Sequence, residues 1–152
     1  MPVLETNSFG RVPYAEDAVL EFPSGLPGFD THHRFLALQF RESEPVIFLQ
    51  SLEAPGLCFI TLPVLVVDPR YRLEVSAEDL ARIGLSATHQ PSIGDAVLCL
   101  AVIAVRESGP TANLLAPIVV NLANRKAVQA MTLQTGYSHQ QAFLLQEAAV
   151  CS

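Results

Sequence analysis

The sequence predicts a mainly β protein, with a compact antiparallel β-barrel-like fold and one or two short helices. Two observations favour this fold class. Short apolar runs recur along the chain, and prolines, glycines or aspartates separate them, as turn residues separate strands. Only one segment carries a full set of helix-boundary signals. Many short strands with few helices are typical of an antiparallel barrel or sandwich.

About eight strands are predicted, over residues 18–22, 34–40, 46–50, 57–62, 71–75, 96–105, 117–122 and 126–134. In 71–75 polar and apolar residues alternate, which predicts that Tyr71, Leu73 and Val75 face inward. Residues 96–105 are apolar throughout and rich in β-branched side chains, which favours a strand buried on both faces. Turns are predicted at 24–28 and 53–56, where proline and glycine cluster.

Helix signals occur at two places. Ser76 is a good N-cap, Asp79 follows three residues later, and Gly84 can end the helix in a left-handed conformation. Leu80 and Ile83 then share one face, so this helix can pack on the sheet. A weaker capping box, Ser138 with Gln141, predicts a second helix before residues 142–145.

Length and composition predict one folded domain over residues 1–152. Hydrophobic residues make up 50% of the chain and charged residues only 16%, against about 25% in an average soluble domain. A chain this apolar buries enough surface to offset its ordering entropy, which argues against disorder. The tail from about residue 140 is expected to be mobile, as chain ends often are.

Charge and cysteine usage narrow the class of partner. Lys and Arg total 9 against 15 Asp and Glu, a net charge of −6, which argues against direct nucleic-acid binding because such sites need a basic face. The longest apolar run, 96–105, is half the length of a membrane-spanning helix, about 20 residues. Residues 1–5 do not resemble a signal peptide. Three cysteines without CxxC spacing fit a reducing compartment, so we expect a cytoplasmic protein without membrane contact.

No arrangement of residues predicts catalysis, a metal site or a cofactor site. The four histidines lack metal-ligand spacing, and no phosphate-binding glycine loop or nucleophile elbow is present. Cys58 and Cys99 lie in apolar runs, where a thiol is inert. Glu78 and Asp79 begin the first helix and complement its positive end, and Asp68 precedes a proline turn. We therefore expect no enzymatic activity and no cofactor.

Four sequence blocks, in order and at comparable spacing, resemble the FliW family of flagellar assembly factors. They are FPSGLPGF at 22–29 followed by Arg34-Phe35; FLQSLE at 48–53 running on to Phe59; Asp68-Pro69 with Tyr71 and the Ser76-capped helix containing Leu80 and Leu85; and TANLLAPIVVN at 111–121 followed by Gln129 and Tyr137-Ser138. Together the blocks cover nearly the whole chain, and the last is the most specific.

The resemblance implies a non-enzymatic cytoplasmic protein with a β-barrel-like fold. Members of the family bind flagellin before its export. They also bind CsrA, the small RNA-binding translational regulator that represses flagellin synthesis, so export of flagellin frees the factor to capture CsrA. An acidic chain suits a basic partner, through charge steering. Apolar surface suits the amphipathic terminal helices of unassembled flagellin. We expect the free protein to be a monomer.

The resemblance also points to a partner-binding set: Asp68, Tyr71, Glu74, Glu78 and Asp79. In the family, acidic residues on the strand after the tyrosine are linked with docking of CsrA. Here Arg72 takes one of the two outward positions of that strand and Glu74 takes the other. Glu74 alone therefore keeps the acidic character of the strand.

A second set of residues is expected to shape the fold: Gly25, Gly28, Asn113, Pro117 and Asn121. The glycines suit turns that need a positive φ. The asparagine side chains can bond neighbouring backbone and hold the loop before a strand.

Two other functions remain open at this level. A β-barrel could hold a small molecule in its interior, which predicts a deep pocket with a few convergent polar groups. A purely structural oligomer predicts a large self-complementary apolar face and a stable dimer.

Overall fold

Antiparallel β-structure dominates the chain. The computed structural model describes residues 1–143. In chain order the strands are β1 (Val3–Thr6), β2 (Gly10–Pro13), β3 (Val19–Glu21), β4 (Arg34–Gln39), β5 (Ile47–Ser51), β6 (Cys58–Pro63), β7 (Val97–Arg106), β8 (Gly109–Ala112), β9 (Ile118–Asn121), β10 (Ala127–Gln129) and β11 (Gln141–Ala142). The α-helices are α1 (Val64–Val67) and α2 (Ala77–Arg82), and single 3-10 turns occupy Glu16–Ala18 and Arg41–Ser43.

The main sheet runs in the order β10-β9-β7-β6-β5-β4-β3, and every neighbouring pair is antiparallel. Its two ends approach each other, because Glu21 of β3 forms a single parallel bridge with Lys126 beside β10. The Glu21 N–H donates to the Arg125 carbonyl over 3.0 Å. One bridge is not a ladder, so the sheet curls into a barrel-like form without closing. The predicted fold class is confirmed.

Residues 97–103 of β7 are buried or half-buried on both faces, as the apolar run predicts, whereas residues 104–106 are exposed, so the predicted burial does not extend to residue 105. The odd-numbered residues 97–101 pack into one apolar cluster, and the even-numbered residues 98–102 pack into another. The second cluster fills the inside of the curl, where Phe35, Leu49 and Ile118 from three other strands meet it. The first cluster lies outside the curl and needs a cover of its own.

Helix α2 supplies part of that cover. Leu80 and Ile83 are fully buried against the outer cluster, and burial of each side chain stabilises the fold by about 1.5–3 kcal/mol relative to exposure. The Ser76 hydroxyl accepts from the Asp79 N–H over 3.2 Å and caps the start of the helix. This helix and its cap confirm the prediction.

Residues 71–75 complete the cover, but the predicted strand there is wrong. Tyr71 and Val75 are buried as the alternation indicates, yet no strand of residues 1–143 pairs with the segment. Side chains satisfy its backbone instead: Gln90 donates to the Val75 carbonyl over 3.0 Å and accepts from the Val75 N–H over 2.7 Å. Alternation reports burial of one face, and it does not reveal whether a ladder partner exists.

Other differences lie at element ends and in short hairpins. Strand β10 ends at Gln129, whereas the prediction ran to residue 134. The predicted second helix is wrong where the structure describes it, because β11 pairs with β8 at residues 141–142. The rest of that helix and most of the tail from about residue 140 lie outside the described residues. The prediction missed the β1–β2 hairpin, strand β8 and helix α1. The hairpin and β8 carry few apolar residues, and α1 has no side-chain cap.

Gly25 occupies a turn that only glycine fits. Its φ is +68°, and a Cβ there would lie 2.7 Å from the Asp30 carbonyl oxygen. We expect Gly25→Ala to lower the free energy of unfolding by about 2–3 kcal/mol, since strain and overlap combine. Gly28→Ala is the control, because φ is +81° but nothing lies within 4 Å, and it should cost only about 1–2 kcal/mol. Equal urea midpoints for the two variants would contradict this account.

Candidate protein-docking surface

Tyr71 is an internal support of the segment that carries the predicted partner residues. Its side chain is 5% exposed, its hydroxyl donates to the Leu114 carbonyl over 2.6 Å, and its ring stacks on Tyr137 with centroids 4.4 Å apart. The Tyr137 hydroxyl in turn accepts from the Arg72 N–H over 2.8 Å. Burial raises the pKa of Tyr71 well above its usual range, so the phenol keeps its donor proton. Tyr71 therefore positions the segment and offers a partner almost no surface.

The predicted carboxylates differ in the hydrogen bonds and ion pairs that they already make within the protein. Asp68 accepts from the Arg70 N–H over 2.9 Å and holds the turn after α1. Asp79 is paired with Arg82, with 2.6 Å between Oδ1 and Nη1. Glu74 accepts from the Gln134 side chain through Oε1 over 2.8 Å. Its second carboxylate oxygen makes no hydrogen bond within residues 1–143.

Glu78 is the most accessible of the predicted acids. It lies exposed in the first turn of α2, and no hydrogen bond or ion pair joins its carboxylate to another residue of 1–143. Of the predicted acids, Glu78 therefore has the carboxylate that is most accessible to a partner.

Exposed apolar side chains lie directly beside Glu74. The Leu133 N–H donates to the Glu74 carbonyl over 2.9 Å. The Leu133 side chain is 55% exposed and that of Met131 64%, while Thr132 between them is buried. We call the set of Glu74, Glu78, Met131 and Leu133 the Glu74 face, in which Leu133 is bonded to Glu74 and Glu78 follows Glu74 by four residues. It combines carboxylates with apolar surface, which suits a partner that has both basic and apolar character.

The net negative charge of the chain is concentrated elsewhere. Residues 68–82 carry four carboxylates and three arginines, whereas residues 1–53 carry eight carboxylates and three arginines. Residues 68–82 are therefore only weakly acidic, and the long-range negative field of the chain comes mainly from residues 1–53, the β1–β5 half.

The predicted fold-shaping residues lie in the turn at 24–28, in the loop before β9 and at the last residue of β9. The Asn113 side chain accepts from the Ala116 N–H over 2.9 Å and bends the loop that leads into β9. Pro117 is buried at the end of that loop. The Asn121 side chain donates to the Ile83 carbonyl over 2.7 Å and ties the end of α2 to β9.

Neither Cys58 nor Cys99 is an activated thiol. Burial raises the pKa of the Cys99 thiol to about 12 and also raises the pKa of Cys58, so both stay protonated at neutral pH. Within residues 1–143 no three His, Cys, Asp or Glu side chains are grouped closely enough to bind a metal ion. Cys151 lies outside the described residues.

Within residues 1–143, no helix is both long enough and apolar enough to cross a bilayer.

Several residues that build this surface had no signal in the sequence. Gln90 and Gln134 act through single side-chain hydrogen bonds to residues 15 and 60 positions away. The sequence pointed to Tyr137 only as part of the fourth block that resembles the FliW family, since its stacking on Tyr71 joins distant parts of the chain. Asn124 joins Asn121 in donating to the Ile83 carbonyl, over 3.1 Å.

Three comparisons place the chain among known proteins. The family model described as "FliW protein" matches residues 3–143. The chain is 30% identical over 133 residues to a flagellar assembly factor FliW of Syntrophomonas wolfei, covering 85% of this chain and 80% of that protein. A FliW of Pseudothermotoga lettingae is 35% identical over 140 residues, with 87% and 82% covered. A crystal structure of the flagellar assembly factor FliW superposes with a TM-score of 0.80 at 26% identity, covering 94% of this chain and 97% of that one.

Removing the Tyr71 hydroxyl should destabilise the fold, because the Leu114 carbonyl would be left buried without a donor. We expect Tyr71→Phe to lower the free energy of unfolding by about 1–3 kcal/mol. Tyr14→Phe is the matched control, since no residue of 1–143 hydrogen-bonds the Tyr14 hydroxyl, and it should leave the urea midpoint near that of the parent. A Tyr71→Phe variant as stable as the Tyr14→Phe variant would refute the role given to Tyr71.

Proposed function

The chain belongs to the FliW family of flagellar assembly factors, and on that premise we propose that it binds flagellin before export and antagonises the translational regulator CsrA. The free protein captures CsrA and relieves repression of flagellin synthesis, whereas flagellin occupies the protein and releases CsrA. It acts in the cytoplasm, as a monomer when free, and it makes no covalent bonds.

One observation carries this proposal: the family match extends over residues 3–143. The fold agrees with it over the same length, at a TM-score of 0.80. The relatives are named flagellar assembly factors, and the two partners are what this proposal adds.

The Glu74 face supports the CsrA half of the proposal. A regulator that binds RNA carries basic surface, and Glu78 offers it an exposed carboxylate at the start of α2. The acidic β1–β5 half speeds the encounter by steering, and the Glu74 face supplies local contacts. Asp68 and Asp79 contribute charge close to this face, although each already has a partner within the chain.

Exposed apolar residues support the flagellin half. Met131 and Leu133 lie on the same side of the chain after β10 and are mostly exposed. An amphipathic helix docks through residues of this kind when its apolar side would otherwise face water. Flagellin segments that are unassembled before export have such a side.

The alternative of a small-molecule carrier has less support. The inside of the curl is filled by the protein's own side chains, among them Phe22, Phe35, Leu49 and Leu100, all fully buried. A structural oligomer would need a larger continuous apolar face, and light scattering that shows a dimer at micromolar concentration would favour it.

The double variant Glu74→Gln/Glu78→Gln tests the docking of CsrA. Glutamine at position 74 keeps the oxygen that accepts from Gln134, so the fold should persist while two negative charges are lost. We expect calorimetry at low salt to show CsrA binding weakened by about fivefold or more, since each charge contact contributes roughly 0.5–1 kcal/mol. The difference from the parent should shrink at high salt.

Glu107→Gln/Glu42→Gln is the matched control, because it removes two exposed carboxylates from the β7–β8 and β4–β5 connections, outside the segments that form the Glu74 face. It should change affinity less than the test variant does. Equal affinities for the parent and the test variant would remove the Glu74 face from the CsrA interface.

A further inference from the structure

A small cavity lies at one end of the barrel-like sheet, between the turn at 24–28 and the loop that leads into β9. Its volume is about 100 Å³, and its lining residues are Leu26, Pro27, Phe59, Val102, Ile118, Asn113 and Gln129. A single water needs only about 10–15 Å³ by the same kind of measure. The cavity therefore has room for a small group of heavy atoms. It has apolar walls and two amide side chains.

Ala116 holds both of these amides in place. Its N–H donates to Oδ1 of Asn113 over 2.9 Å, and its carbonyl accepts from Nε2 of Gln129 over 3.0 Å. Each side chain is thus oriented by one of its two polar atoms. Because both bonds go to the same residue, the two amides are held close together.

The second polar atom of each amide is left available. Within residues 1–143, neither Nδ2 of Asn113 nor Oε1 of Gln129 makes a hydrogen bond. Neither atom is buried. Both atoms are therefore accessible, and both residues line the cavity. The site presents one N–H donor and one oxygen acceptor beside apolar walls.

We propose that this cavity is a binding subsite for a primary amide, the side chain of an asparagine or glutamine presented by a partner protein. A primary amide offers a carbonyl oxygen and an NH₂ group at the same end, matching the Asn113 donor and the Gln129 acceptor. A carboxylate offers only acceptors, so it would oppose the Gln129 oxygen, and an ammonium offers only donors.

A backbone peptide fits less well, because a trans peptide points its N–H and carbonyl in opposite directions. The apolar walls receive the methylene groups next to the amide, with Phe59 and Val102 as contacts. The proposal depends on the cavity alone and goes beyond the proposed function, because it holds whichever protein supplies the amide.

Nuclear magnetic resonance with propionamide tests the subsite directly. In a uniformly ¹⁵N-labelled protein, propionamide should shift the Asn113 side-chain NH₂ signals and the Phe59 and Val102 backbone amides along saturable curves. Propionate has the same shape with a carboxylate in place of the amide, and it should not saturate these signals. Absence of a saturable shift with propionamide, or equal shifts with propionate, would overturn the proposal.

The variant Asn113→Asp separates binding from folding. Aspartate keeps the oxygen that accepts from the Ala116 N–H, but it replaces the free donor by an acceptor. We expect propionamide affinity to fall by about fivefold or more, the effect of losing one hydrogen bond. Gln39→Glu is the control, since it makes the same charge change at the exposed end of β4, and it should bind like the parent.

Unchanged propionamide binding by Asn113→Asp would overturn the role of the donor. Should that variant fail to fold, the comparison of propionamide with propionate on the parent protein still decides the proposal.

Discussion

Burial of both faces of β7 is the constraint on which the rest of the structure depends. Apolar side chains on both faces of residues 97–103 are costly to leave in water, so the sheet curls over one face and other segments cover the second face. Helix α2 and residues 71–75 provide that outer cover. The cover also carries the carboxylates of the proposed docking surface, so the core and the candidate docking surface have one physical origin.

The sequence predicted this constraint well and its consequences less well. Residues 96–105 indicated a strand buried on both faces, which holds for residues 97–103. Ser76 with Leu80 and Ile83 indicated a helix that packs on this strand. Both signals are local. The failure at 71–75 has a different cause. Its backbone is satisfied by Gln90 and by residues after β10, and contacts at such sequence separations leave no periodic pattern.

The candidate site divides in the same way. The resemblance grouped Glu78 with Tyr71 and Asp79, whereas the exposure of Glu78, the burial of Tyr71 and the pairing of Asp79 with Arg82 follow from tertiary packing. The asparagines of the loops bond backbone, as turn chemistry suggests. Asn113 also leaves a donor free beside Gln129, and only the fold brings those two side chains to the same Ala116. A protein that works by contact can therefore use the same residues for folding and for recognition.

Calorimetric titration of CsrA into the protein, first alone and then saturated with flagellin, tests the central claim most directly. If one protein serves two rival partners, each must lower the affinity for the other by the same factor. The account predicts that CsrA binds the free protein and binds markedly more weakly once flagellin is present. An identical CsrA affinity in both titrations, or no binding of either partner, would contradict it.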